Sequence, residues 1–237
     1  LSHYDVLVSS NLEQINRVCP EKLDFILKHP HHIRYEHDSC LYFSPDRRQE
    51  IFESTKLSFF STNFHISRFK ENYGDYFKNF KVVYEPINTE IFTDEGGVKI
   101  YDVIYCGYLH PLKGLGNLLE FAQSNPNREI SVFGWGENNI EKSLEGFSNI
   151  EFHGHKNQQE IANVLKQCKA IYHHPIVDEP FCRMIAEGLL CGVEEIIGAT
   201  DRIGAYLEFV KEGKDSFRKK CATASDVWWD HVEKSYE

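Results

Sequence analysis

The sequence predicts an α/β fold built on parallel, doubly wound sheets. Short apolar runs with strand character alternate with stretches of helical apolar spacing along the chain. The alternation breaks at the polar, glycine-bearing stretch Thr93-Asp94-Glu95-Gly96-Gly97, which reads as a linker between two units. Strand–helix alternation at this spacing implies right-handed crossovers. Parallel sheets made that way bind ligands at the carboxyl ends of their strands.

Before the linker, Asp5-Val6-Leu7-Val8 reads as a buried strand, followed by His32-Ile33-Arg34-Tyr35-Glu36 and Leu57-Ser58-Phe59-Phe60. Phe64, Ile66, Phe69 and Tyr73 recur at helical spacing, and Gly74 ends that helix. Lys81-Val82-Val83-Tyr84 is a further strand, closed by Pro86. After the linker, strands are expected at 101–106, 129–133, 150–152, 170–173 and 195–197. Helices are expected at 116–122, 138–144, 158–167, 181–190, 203–211 and 224–234. The expected organisation is 1–92, 93–221, and a last helix at 222–237 carrying Trp228 and Trp229. That helix either packs back on the first unit or serves core packing or self-association.

The chain has 237 residues, 41% of them hydrophobic, enough for a packed core. No run of about 18 apolar residues is present. The start LSHYDVLVSS lacks a basic region and an apolar signal core, which points to the cytoplasm and leaves peripheral attachment to a membrane open. The chain begins without Met, as a fragment or trimmed form would. A net charge of −10 argues against nucleic acid as a partner, because that binding needs basic surface. The seven cysteines are scattered and never spaced C-x-x-C, which suits reduced thiols rather than a disulfide framework or a zinc cage. The clusters His29–His32, His153-Gly154-His155 and His173-His174 lack a helical His-x-x-x-His face, so no metal site is expected. Phe133-Gly134-Trp135-Gly136 lacks the third glycine of a dinucleotide fingerprint, since Asn139 stands there.

The chemistry concentrates in Tyr172-His173-His174-Pro175 and in the run from Asp178 to Glu187. Pro180 disfavours helix at Glu179 and suits a helix starting just after it. The N–H groups near Phe181, Cys182 and Arg183 then face an anion site at the helix start. Glu179 lies in the loop facing that start, and Glu187 lies about two turns on. Spacing alone leaves two readings open: Glu179 caps the helix and Glu187 is an exposed helix residue, or the two acids hold sugar and ribose hydroxyls.

Here the chain resembles a known family. From Tyr101 to about Tyr206 it is similar to the donor domain of the retaining glycosyltransferases of family 4, also called glycosyl transferases group 1, which have the GT-B fold. That family carries two glutamates with seven residues between them, matched by Glu179 and Glu187. Gly107-Tyr108 with Lys113-Gly114 resembles its first strand, turn and phosphate-binding lysine. Gly134 resembles its second glycine turn, and His153 the strand end beside the base. Residues 1–90 resemble only the later part of the acceptor-side domain, so the resemblance implies two Rossmann-like lobes with the N-terminal one reduced. It implies that Glu179 contacts the donor sugar, Glu187 the ribose, Lys113 the diphosphate, and the N–H groups of Phe181, Cys182 and Arg183 the sugar or phosphate. His37, on the turn Tyr35-Glu36-His37-Asp38, would approach the reacting sugar.

The implied reaction moves a hexose from a nucleotide-diphosphate sugar to a saccharide or lipid-linked acceptor hydroxyl with retention. No cofactor is expected; no D-x-D pair for a metal diphosphate occurs. Two alternatives stay open: a sugar-nucleotide-binding lobe without activity, and one subunit of a split enzyme whose acceptor lobe is completed by a homo-oligomer or a partner chain. Tyr108 stands where the family has an arginine, and a phenol cannot replace that bidentate cation. Either another cation helps, Arg183 or Arg202 for instance, or diphosphate binding is weakened.

Overall fold

The structure is a computed structural model that describes residues 5–39, 41–74, 79–137 and 140–236. The chain forms two compact units: Leu1–Pro86 with Lys220–Glu237, and Ile87–Lys219. Ile87–Phe92 belongs to the second unit, where the linker prediction had left it in the first.

The first unit runs β1 (Leu7–Ser9), α1 (Leu12–Val18), α2 (Pro20–Leu27), β2 (His32–Tyr35), α3 (Pro45–Ser54), β3 (Leu57–Phe60), α4 (Asn63–Tyr73) and β4 (Phe80–Val82). The four strands pair in parallel in the order β1-β2-β3-β4. The second unit runs β5 (Tyr101–Leu109), α5 (Leu115–Ser124), β6 (Ile130–Gly136), α6 (Ile140–Leu144), β7 (Ile150–Gly154), α7 (Gln158–Lys166), β8 (Cys168–Tyr172), α8 (Arg183–Leu190), β9 (Glu195–Ile197) and α9 (Gly204–Glu212). Its five strands are parallel in the order β7-β6-β5-β8-β9. The chain returns to the first unit within α10 (Lys214–Ala222) and ends in α11 (Ala224–Tyr236). Ala224 and Val232 of α11 are buried against Ile33, Leu57, Phe59 and Val83, and the Trp228 ring lies 5.4 Å from that of Phe59. Trp229 is 57% exposed, so the adjacent tryptophans divide between packing and surface.

Four helices lie outside the sequence expectations; three hide their periodicity, and α2 carries an apolar stripe, Leu23, Ile26 and Leu27, that the sequence expectations left out. In α3 only Ile51 and Phe52 are buried, so the apolar stripe is two residues wide. α10 is mostly charged, with buried apolar contacts only at Phe217 and Cys221. α1 starts from the left-handed Asn11 with no side-chain cap, and α2 follows it after a single residue with Pro20 in its first turn. The start of the predicted helix 138–144 lies outside the described residues; the rest is α6.

β5 and β6 run further than predicted, to Leu109 and Gly136, so both glycine turns are strand. Gly107 pairs with Gly134, and a Cβ on Gly134 would fall 1.9 Å from the Gly107 carbonyl oxygen. Glycine is required there because the two backbones approach more closely than any side chain permits.

Two fully buried histidines, His32 and His65, sit in the first unit. The His32 ring bonds Ser9 Oγ at 2.7 Å, and His65 Nε2 donates to the Asp38 carbonyl at 2.9 Å. Burial drives both pKa values down to about 4; for His32 the Arg34 charge adds to this. Both folded values lie below the ordinary 6.5, so the unfolded chain binds more protons below that point. Stability is complete above pH 6.5 and falls as pH drops toward 4, on the order of 3 kcal/mol per group. Urea unfolding at pH 7 and 4.5 should show this loss, and His65→Gln should reduce it. An unchanged loss in the variant would count against buried, neutral His65.

Candidate functional site

The order β7-β6-β5-β8-β9 makes β5 and β8 neighbours whose following connections run in opposite directions across the sheet. With right-handed crossovers, the helices after β5 and β8 then lie on opposite faces, and a crevice opens above the boundary. Lys113 follows β5 and Glu179 follows β8. The structure joins them: Lys113 Nζ donates to Glu179 Oε1 at 2.6 Å.

Backbone contacts fix both partners. Lys113 ends a 3-10 turn, Pro111–Lys113, capped by His110, and Gly114 follows at φ 84°. A Cβ on Gly114 would lie 2.0 Å from the His174 carbonyl oxygen, so this turn is pressed against the segment leaving β8. On the other side, the Glu179 N–H donates to the Arg202 carbonyl at 2.9 Å, and its carbonyl accepts from Gly204 N–H at 2.9 Å.

Glu179 is 8% exposed. Burial raises the carboxyl pKa, but His173 and Lys113 outweigh it and hold the group below the ordinary carboxylate value. His173 is also buried, with Nε2 3.7 Å from Glu179 Oε1 and 3.4 Å from Cys182 Sγ. Burial pulls its pKa down; Cys182 and Glu179 reverse that and lift it to about 10. Cys182 is the N-cap of α8 and stands in the left-handed region at φ 71°. Helix proper begins at Arg183 rather than the predicted Phe181, because Cys182 has left helical backbone angles. The Phe181 ring is core, 1% exposed and stacked on Phe217, so only its main chain can serve the site. The N–H groups that open α8 supply the positive end of the helix dipole. Arg183 is half-exposed and reaches Glu187 at 3.5 Å, a loose hold. Arg202 donates to the Ile176 carbonyl at 2.7 Å.

Glu187 serves a second surface. With Gly107, Gly134, Cys106, Trp135, Lys156 and Met184 it helps to line a cavity of about 170 Å³. The cavity is smaller than the ~300–1,000 Å³ typical of whole-ligand sites and has room for only part of such a ligand. His153 is not among its lining residues; its ring stacks on Phe133 at 4.6 Å, while His155 lines the cavity two residues on. Tyr108 is occupied: its ring stacks on His110 and its hydroxyl donates to Glu137 at 2.9 Å. His37 lies in the other unit, exposed, with its ring 4.6 Å from that of Tyr35. A larger cavity of about 380 Å³ lies between α3 and the end of α4 in the first unit and includes none of the candidate site residues.

Sequence reasoning missed Lys156, Trp135 and His155 beside the cavity, and it missed the role of His173. The test applied to histidines was spacing along one helix. Here the groups converge from a strand end, a loop and a helix start.

A family model described as "Glycosyl transferases group 1" matches residues 90–234. Among solved structures the fold is similar to HepE of Anabaena in complex with UDP and glucose, with TM-score 0.66 and 19% identity over 99% of this chain and 74% of that one. It is similar to the sucrose-phosphate synthase of Thermosynechococcus elongatus, with TM-score 0.65 and 11% identity over 99% and 70% of the two chains. It is also similar to the pneumococcal O-GlcNAc transferase GtfA in complex with UDP and GlcNAc, with TM-score 0.59 and 14% identity over 91% and 50%. These likenesses establish the GT-B fold. A comparison with curated proteins gives no match. Among the described residues no helix is long and apolar enough to cross a membrane.

The Gly114 contact yields a ranking. Lys113 is 42% exposed, so its ion pair is worth no more than about 1 kcal/mol, and Lys113→Ala should cost that little. Gly114→Ala must move the turn off His174 and adopt an unfavourable φ, costing about 1–3 kcal/mol and separating Lys113 from Glu179 as well. Denaturant midpoints measure both. Equal losses would show that the turn is not pinned as described.

Proposed function

Because the chain belongs to the glycosyl transferases group 1 family, we propose that it transfers a hexose from a nucleotide-diphosphate sugar to an acceptor hydroxyl, with retention and without a metal cofactor. The observation that carries the proposal is the meeting of Lys113, Glu179 and the start of α8 at the switch point of the second sheet. The nucleoside belongs on the Gly107–Gly134 side, with Glu187 taking the ribose hydroxyls and the base near Trp135 and His155. Similar structures that hold UDP make a uridine nucleotide the first to try.

The diphosphate falls to Lys113, the opening N–H groups of α8 and Arg183. Their positive charge is what a leaving diphosphate requires as it departs. The Lys113–Glu179 pair is cheap to open, so the ammonium can turn from carboxylate to phosphate when donor arrives. Glu179, then ionised and fixed by its backbone, accepts hydrogen bonds from the sugar hydroxyls and orients the ring. The acceptor proton passes to the leaving phosphate oxygen, so no strong base is needed. His37 is assigned to the reacting sugar from the acceptor side, and the acceptor is a saccharide or a lipid-linked saccharide.

Tyr108 favours a second reading, a nucleotide-sugar-binding module that does not turn over. Its hydroxyl and ring are committed to Glu137 and His110, so it adds no cation for the diphosphate. Arg183 is the better substitute than Arg202, since its hold on Glu187 is loose and Arg202 is tied to a carbonyl.

Thermal shift with a panel of nucleoside diphosphates, paired with transfer and hydrolysis assays, separates the two readings. We expect a shift and turnover. Glu179→Ala should abolish transfer with nucleotide binding retained. Glu187→Ala should weaken nucleotide binding by roughly 10- to 100-fold, the loss of a hydrogen bond to a charged group. His37→Ala should cut transfer without changing nucleotide affinity. A shift without turnover selects the binding module. Wild-type turnover in both glutamate variants removes the site assignment, and an inverted anomeric product in an NMR assay removes retention.

A further inference from the structure

Three side chains at this crevice form a cluster of which the proposed transfer reaction uses only the Glu179 carboxylate. His173 Nε2, Glu179 Oε1 and Cys182 Sγ all lie within 4.8 Å of one another. Two of the separations are 3.4 Å, sulfur to imidazole, and 3.7 Å, imidazole to carboxylate. A tetrahedral zinc ion, with bonds of about 2.0–2.3 Å, spaces its ligand atoms by about 3.3–3.6 Å. Two of the three separations therefore already lie near coordinating geometry, and the third, Glu179 to Cys182, lies within 4.8 Å. Its donor set is thiolate, imidazole and carboxylate, which suits zinc-class ions and not magnesium or calcium.

The frame is already built. His173 follows the last residue of β8, and its N–H donates to the Ile197 carbonyl at 2.9 Å. The Glu179 main chain is held on both sides by Arg202 and Gly204. Cys182 is kept at the start of α8 by its left-handed backbone. The occupants in competition are the Lys113 ammonium on the same carboxylate oxygen, half-exposed and weakly held, and the proton that the His173 ring gives up when a metal binds.

We propose that His173, Glu179 and Cys182 form a site for a thiophilic divalent cation of the zinc class, with its fourth position open, and that occupancy excludes the Lys113–Glu179 pair. The ion acts there as an inhibitor and not as a cofactor, a consequence that rests on the assignment of Glu179 to the donor sugar.

The test is a titration of the purified, nucleotide-free full chain with Co²⁺ as spectroscopic probe. One equivalent should give a sulfur-to-cobalt charge-transfer band with the strong visible absorption of tetrahedral cobalt, displaced by Zn²⁺. Cys182→Gly should fold, because glycine adopts this backbone readily. It should lose the band and bind Zn²⁺ more than roughly 100-fold more weakly in chelator competition, as befits loss of a direct ligand. His173→Gln should also weaken binding, and Lys113→Ala should tighten it roughly fivefold by removing one competitor. Absence of the band in the wild type overturns the proposal, as does an affinity unchanged in Cys182→Gly, which would place the ion elsewhere. Zn²⁺ should also release bound nucleotide sugar from the wild type and not from Cys182→Gly. If the band appears and the nucleotide sugar stays bound, the metal site stands and the role given to Glu179 fails.

Discussion

β5 pairs with β6 on one side and β8 on the other, and everything at the crevice follows from that double pairing. The chain leaves β5 and β8 for helices on opposite faces, so their first residues are brought together without a helix between them. Lys113 and Glu179, 66 residues apart in the chain, meet at 2.6 Å as a consequence. The sheet also imposes tight approaches. Gly134 must accept the Gly107 carbonyl, and Gly114 must accept that of His174. A side chain at Gly114 would widen the gap that brings Lys113 and Glu179 within reach.

The crevice carries cations although the whole molecule is acidic. The chain carries a net charge of −10, yet cations gather near this crevice: Lys113, Arg183 and Arg202, with Lys156 beside the neighbouring cavity. Screening reduces what scattered surface acids contribute at distances beyond about 8–10 Å. The local set therefore decides what the site attracts. Glu179 stays ionised in spite of burial because His173 and Lys113 outweigh the desolvation penalty. An anionic ligand that draws Lys113 away leaves His173 to sustain that charge.

Much of the sheet was legible in the sequence, and the reason is visible strand by strand. Leu57–Phe60 and Glu195–Ile197 are bounded by polar residues and match their predicted limits. β5 and β6 overran because Gly107 and Gly134 read as turn residues, and only the cross-strand pairing shows why glycine is needed inside a strand. Of the unread helices, α3 and α10 bury only two residues each, so their spacing carried no stripe. At the site, the Glu179–Glu187 spacing marked the right segment. It could not tell that the two carboxylates serve different surfaces, because that depends on the chain entering α8 only at Arg183. The His173–Cys182 contact was invisible for a related reason: nine positions apart and in different elements, the two match no periodic template.

Cys182 shows how the demands on this segment are balanced. A non-glycine residue at φ 71° carries strain of order 1 kcal/mol. The same conformation sets a thiol 3.4 Å from a buried imidazole and leaves the first N–H groups of α8 without a side-chain cap. A serine or aspartate cap in the extended region would satisfy those groups and steady the helix by about 1 kcal/mol, while occupying the donors that an anion needs. The local backbone thus gives up helix stability at this helix start. The weak Lys113–Glu179 pair follows the same pattern, because an interaction worth about 1 kcal/mol can be exchanged for a ligand where a strong one could not.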